Sequence, residues 1–120
     1  MFKLNADRIK NRLYLKLDGT FSEADVKSAE GQILRAARTL RPGFDIINDI
    51  SGFKPVKPEV SVHIAHIQEE TIKMSVRRIV RIVGENALGK MQLSRTSREA
   101  GYNALVAATL QEAEKLLDSP

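Results

Sequence analysis

The stretch Gly43-Phe44-Asp45-Ile46-Ile47-Asn48-Asp49-Ile50-Ser51-Gly52-Phe53-Lys54-Pro55 limits what this chain can fold into more than any other. Residues 44–50 read as a strand, and Ile46, Ile47 and Ile50 point to both of its faces. A strand that is apolar on both faces belongs in the middle of a sheet with a covering layer on each side. Arg41-Pro42-Gly43 ends whatever precedes it, and residues 51–57 read as the loop that follows. A polar, glycine-marked turn after a buried strand is the usual working edge of an α/β protein.

The flanking segments supply the layers. Residues 2–8 and 12–18 alternate: Phe2, Leu4 and Ala6 against Lys3, Asn5 and Asp7, then Leu13, Leu15 and Leu17 against Arg12, Tyr14 and Lys16. Period-two alternation predicts an antiparallel hairpin with one wet face, turning at Ile9-Lys10-Asn11. Asp18-Gly19 breaks the second strand, and Thr20-Phe21-Ser22-Glu23 matches a capping box with Thr20 as cap; Ser22 with Asp25 is an alternative register. The helix it opens runs to about Leu40 on a stripe of Val26, Ala29, Ile33, Ala36 or Ala37, and Leu40, with Gly31 explained by close packing on a sheet.

After the central strand, Pro58 suits the first turn of a helix carrying Val60, Ile64, Ile67 and Met74, with Ile72 beside them and Glu69, Glu70 and Lys73 on the wet side. Residues 76–83 predict a fourth strand, Gly84-Glu85-Asn86 a turn, and residues 87–98 a weakly patterned helix anchored by Leu88 and Met91, with Ser94–Ser97 irregular. Residues 102–107 predict a short fifth strand. Thr109–Glu112 forms a second capping box for a last helix with Ala113, Leu116 and Leu117 inward, stopped by Ser119-Pro120. Strands alternating with helices predict one α/β domain over residues 1–120: a mostly parallel five-stranded sheet with an N-terminal hairpin and about four helices.

The sequence contains no cysteine, which removes disulfides, thiol catalysis and thiolate metal sites. No apolar run approaches the roughly 20 residues of a membrane-spanning helix, and the N-terminus lacks the apolar core of a signal peptide, so the chain reads as cytoplasmic. The net charge of +4 is small and dispersed; it disfavours nucleic acid as a partner.

The element order, with Asp49-Ile50-Ser51-Gly52-Phe53 closing the third strand, resembles the STAS domain family, which includes bacterial anti-sigma factor antagonists and the cytoplasmic domains of sulphate transporters. In that family a strand ending Asp-Leu-Ser-Gly-Val is followed by an Asp-Ser-Ser-Gly segment that opens a helix and is phosphorylated by a partner kinase. Here Asp49, Ser51 and Gly52 match the first half, with Ile50 in place of Leu. The second half falls on Lys57-Pro58-Glu59-Val60, which has no hydroxyl; Ser61 is slightly displaced, and Glu59 places a permanent negative charge at the helix start. The chain is also similar to the divergent STAS-like group, which often lacks the phosphoserine and shares its fold with lipid-binding Sec14-type domains.

The resemblance implies a non-enzymatic regulatory module, without cofactor, that docks a protein partner through Asp49, Ser51, Gly52, Lys54, Lys57, Glu59 and Ser61, with the turns at 18–23 and 84–90 gathered beside them. The alternative it carries is a small apolar ligand or lipid in a cavity lined by Phe53, Val60, Ile64 and Met91. A homodimer is compatible with either.

Other residues carry plainer expectations. His63 and His66 lie three apart on a helix with no third metal ligand beside them beyond Glu69 and Glu70, so they read as partly exposed helix residues. Gly84–Lys90 departs from a phosphate loop at Met91, where the pattern needs a hydroxyl. Asp45 and Asp49 share a strand face; Asp45 suits solvent or a helix cap, and Asp49 suits accepting backbone N–H groups around Ser51. In an alternating strand Arg77 and Arg81 share a side and Arg78 opposes them, and carboxylates of neighbouring helices are their expected partners. No acid, base and nucleophile converge, so an enzyme is not expected.

Overall fold

The computed structural model describes residues 1–119, apart from the side chains of residues 99 and 100. The hairpin comes first, as β1 (Phe2–Asp7) and β2 (Arg12–Gly19); then follow α1 (Glu23–Arg38), β3 (Asp45–Phe53), α2 (Pro58–Lys73), β4 (Ile79–Ile82), α3 (Ala87–Ala100), β5 (Leu105–Ala107) and α4 (Leu110–Asp118). The five strands lie side by side in chain order, with β1–β2 antiparallel and every later pair parallel. The predicted α/β architecture is the one the chain adopts. No helix among the described residues is long and apolar enough to cross a membrane.

A parallel sheet that grows in one direction with crossovers of one hand places all its crossover helices on one face. Accordingly α1 packs beside α2 and α2 beside α3, while α4 covers β3, β4 and β5 from the other side. The β3 isoleucines divide as their alternation requires. Ile46 and Ile50 enter the three-helix layer, with Leu13, Ile33, Val26, Val60 and Leu93, and Ile47 joins Val80, Ile82, Ala113 and Leu117 under α4.

Several boundaries differ from the leading sequence expectation, each for a local reason. The α1 box is the alternative register: the Ser22 hydroxyl accepts from Asp25 N at 3.2 Å while Asp25 Oδ2 accepts from Ser22 N at 2.9 Å, and Thr20 lies outside the box. The β3 strand runs on through Ser51 and Gly52 to Phe53, because β2 and β3 pair past a bulge: Lys16 faces Asp49, and Asp18 faces Gly52. Two residues, Ile50 and Ser51, thus oppose Leu17 alone, so Phe53 comes back to the core that holds Ile50 although it lies an odd number of residues away. The β4 strand is confined to Ile79–Ile82, so Arg77 and Arg78 precede it and do not alternate with Arg81. In α4 the Thr109 hydroxyl caps Glu112 N, but the Glu112 carboxylate reaches back to Ala108 N, one residue beyond the expected arm.

Two helix faces also differ. In α3 the inward residues are Leu93, Thr96 and Ser97, whereas Leu88 is 67% and Met91 60% exposed; residues 94–97 are regular helix. In α4 Ala113 and Leu117 are buried and Leu116 is exposed. Gly31 faces no sheet: a Cβ there meets only Arg35 Nη1, at 3.3 Å. The β5 strand spans only Leu105–Ala107, although Tyr102 before it is buried in the α1–α2 core. Pro120, expected to stop α4, lies outside the described residues.

The arginines before β4 fasten α4. Arg77 grips Asp45 through Nε (2.9 Å) and Nη2 (2.7 Å) and also donates to Leu117 O at 2.8 Å; Arg78 donates to Leu116 O and Ser119 O, both at 3.0 Å. Cations on the last carbonyls of a helix satisfy orphan acceptors and complement its dipole. Asp45 is buried, not solvated as its place near a strand end suggested, and it gives Arg77 a carboxylate from strand β3 rather than from a neighbouring helix. Arg12, equally buried, bonds Glu114 at 2.7 Å and Asp118 at 3.0 Å. Burial opposes its charge, but the hydrogen bonds to Asp118 and Glu114 outweigh that and raise its pKa.

Candidate functional site

The C-terminal end of β3 is held from three directions. Lys54 N donates to Gly19 O at 3.0 Å, tying the exit to the β2 end. From the turn after β4, Asn86 Nδ2 donates to Ile50 O (2.8 Å) and Phe53 O (2.5 Å), while Asn86 Oδ1 caps Gly89 N at 3.0 Å. From α3, Gln92 pairs with the Val56 backbone in both directions, accepting from Val56 N at 2.7 Å and donating to Val56 O at 2.6 Å. The three turns expected at one edge of the sheet are therefore joined there by hydrogen bonds. Nothing in the sequence pattern marks Asn86 or Gln92, since both are polar residues in a weakly amphipathic segment.

Within this frame the Asp49 and Ser51 geometry matches its expectation: Asp49 Oδ1 accepts from Ser51 N at 3.0 Å and from Ser51 Oγ at 2.7 Å. Gly52 lies against Asp18: a Cβ built there clashes with Asp18 Oδ1, so any larger residue requires the Asp18 carboxylate to move. Lys54, Lys57 and Glu59 are exposed. Lys57 is the α2 N-cap without a side-chain cap bond, Pro58 follows it, and Ser61 Oγ donates to Pro58 O at 2.8 Å.

Lys57 and Glu59 line one groove and Asp49 another. An open groove of about 690 Å³ runs between the α1 start and the β3–α2 loop, lined by Phe21, Glu23, Asp25, Val56, Lys57 and Glu59 among others. Asp49 borders a different groove on the α4 side of the sheet, with Lys16, Tyr14 and Leu110. The first groove sets three carboxylates against one cation in its lining, so it is locally acidic in a chain of net charge +4. Hydrogen bonds from Ser22 hold Asp25 below the ordinary carboxylate range, and Lys27 does the same for Glu23.

The histidines are tied to carboxylates: His63 Nε2 lies 3.4 Å from Glu23, and His66 Nδ1 2.5 Å from Glu30. The cavity expected beneath the helices is present, but it is small, about 60 Å³. Phe53 and Ile64 line it as expected; Val60 borders the open groove instead, and Met91 is on the outer face of α3. Pockets for drug-sized ligands run from about 300 Å³ upward, so this cavity does not accommodate a whole lipid. Arg81 has no carboxylate partner among the described residues; its Nη2 donates to the Ser97 hydroxyl, and its guanidinium lies 5.6 Å from the Tyr102 ring centroid.

No family model matches this chain, and no curated protein matches it. Among solved structures, the NMR structure of the protein TM1081 is similar, with a TM-score of 0.68 over 100% of this chain and 90% of that one, at 11% identity. At that identity the likeness is one of fold.

Proposed function

We propose that this chain is a non-enzymatic regulatory module that docks a protein partner at the edge formed by the α1 start and the β3–α2 loop. The supporting observation is the clamping of residues 53–57 by Gln92, Asn86 and Gly19. A surface loop held this firmly loses little further conformational freedom on binding, which favours recognition by a preformed surface. The resemblance of Asp49-Ile50-Ser51-Gly52 to the STAS signature points the same way.

The groove beside the loop selects the partner's chemistry. Glu23, Asp25 and Glu59 against Lys57 favour a partner segment that presents Lys or Arg. Regulation of this edge does not need a phosphoserine, since Glu59 already places a negative charge in the first turn of α2.

The test is crosslinking and co-purification from the cells that express the chain, with wild type compared against Glu59→Lys and against Arg38→Glu at the far end of α1. A partner captured by wild type and Arg38→Glu but weakened about tenfold by Glu59→Lys supports the reading; tenfold corresponds to about 1.4 kcal/mol. Equal capture by all three, or capture of none, sinks it. Phosphate on Ser51 or Ser61 after co-expression with a kinase would add the switch that this reading omits.

A further inference from the structure

The small cavity between the sheet and the three-helix layer has an apolar wall broken by a few polar side chains. Of its sixteen lining residues twelve are apolar and none is charged; the polar four are Asn48, Gln68, Thr71 and Tyr102. The Thr71 hydroxyl is engaged, since it donates to Ile67 O. Gln68 donates through Nε2 to the Ser97 hydroxyl at 3.2 Å, and the single Ser97 proton goes to Leu93 O at 2.7 Å. Ser97 therefore receives only the N–H side of the Gln68 amide, and Gln68 Oε1 is left over. Gln68 Oε1 and Asn48 Oδ1 are both buried and accept no hydrogen bond among the described residues. Gln68 is 6% exposed and Asn48 7%. One acceptor is thus carried by α2 and the other by the central strand β3, and both residues line the same cavity.

That wall selects the chemistry of what fills it. No charged residue lines the cavity, and an ion taken in without a partner would lose its hydration for nothing, so the ligand is neutral. Two free acceptors call for an O–H or N–H donor, because a buried acceptor is costly to leave unpaired. Water alone is a poor filling. One water takes at least 10–15 Å³ and needs two to four polar partners, so about 60 Å³ would hold about four to six waters, most of them against Leu, Ile, Val and Phe side chains. The same space takes a molecule of roughly five heavy atoms with one polar end and an aliphatic remainder.

We propose that this cavity binds a neutral aliphatic alcohol of about four carbons, with its hydroxyl donating to Asn48 Oδ1 or Gln68 Oε1. Its carbon chain lies against the apolar wall, to which Leu13 and Ile46 contribute from the sheet and Leu93 from α3. The hydroxyl is what the site reads: a ketone of the same size fills the same space but leaves both acceptors unpaired. Binding here does not depend on the docking edge, and its failure would leave that reading untouched.

The test uses the full chain labelled for NMR and titrated with 1-butanol, with 2-butanone as the ligand of equal size that has no donor. Saturable shifts of the Asn48 and Gln68 side-chain amides and of the Leu13 and Ile46 methyls are expected with 1-butanol, and binding about tenfold weaker with 2-butanone. Asn48→Leu and Gln68→Met each replace one acceptor by an apolar group of similar size. At least one of them is expected to bring the two ligands to nearly equal affinity by weakening 1-butanol. No saturable shift with 1-butanol, equal affinity for the two ligands in the wild type, or an undiminished preference in both variants overturns the proposal. Where neither variant folds, the wild-type preference is decided by a crystal structure grown in saturating 1-butanol: a hydroxyl on Asn48 Oδ1 or Gln68 Oε1 supports the proposal, and ordered water alone in the cavity overturns it.

Discussion

The Gln92 amide and the Val56 backbone form a closed pair, with Val56 N donating to Oε1 at 2.7 Å and Nε2 donating to Val56 O at 2.6 Å. A side chain of α3 thus stands in for the neighbouring strand that the β3–α2 loop lacks. Gln92→Ala is expected to cost about 1–3 kcal/mol, because it leaves two partly buried backbone groups unpaired. Hydrogen exchange at Val56 N–H, accelerated in the variant while the β3 amides stay protected, distinguishes loop release from global loosening.

Gly89 lies in the first turn of α3, where alanine would ordinarily add about 1 kcal/mol of helix stability. Here a Cβ would lie 2.4 Å from Asn86 Nδ2, the atom that also holds Ile50 O and Phe53 O. Gly89→Ala is therefore expected to lower stability, by about 1–2 kcal/mol, through loss of the cap and the clamp together. A denaturant midpoint at or above that of wild type would show that Asn86 moves without cost.

The buried Asp45 carboxylate accepts two bonds from Arg77 and one from Arg78 N, and lies 4.0 Å from Arg12. Asp45→Ala strips the buried guanidinium region of an anion, and a loss of about 3 kcal/mol is expected. Arg77→Ala is expected to cost less, since that side chain is partly exposed, but to free the α4 end by releasing Leu117 O. Unfolding curves for both variants, with exchange at the α4 amides, check the order.

Acid stability should depend on Glu114. Burial works against its charge, but bonds from Lys10, Tyr14 and Arg12 together hold its pKa below the ordinary 4.5. A carboxylate depressed in the folded state stabilises above its unfolded pKa and loses that contribution as pH falls through the folded value. Glu114→Gln is therefore expected to lower stability at neutral pH and to flatten the decline below about pH 4.5. Unfolding free energies across the acid range, parallel for wild type and variant, would count against this.

At alkaline pH the two tyrosines part company with free phenols. Burial raises both, Tyr102 to about 12 against the Arg81 charge. A raised folded pKa supports stability below the unfolded value of 10 and loses it as pH rises towards 12. Phenolate absorbance is expected to appear above pH 10 together with unfolding, and Tyr102→Phe to remove that component.

The strand and helix periods by themselves determined the architecture. Alternation in residues 2–17 fixed the hairpin, and the isoleucines of β3 required layers on both faces, because the apolar face of a regular element follows from its repeat. The Asp49–Ser51 contact was legible too, since it spans two residues and depends on no other part of the chain. Tertiary structure decided the rest. The α3 stripe is too weak to choose a face, so docking on α2 and β3 turned Leu93 inward and left Leu88 and Met91 outside. The bulge opposite Leu17, the clamps from Asn86 and Gln92, and the burial of Arg81 beside Asn48 join residues distant in the chain. A polar side chain has no period of its own; the packing of the elements around it sets its partners, as the burial of Arg81 against the Ser97 hydroxyl and the Tyr102 ring shows.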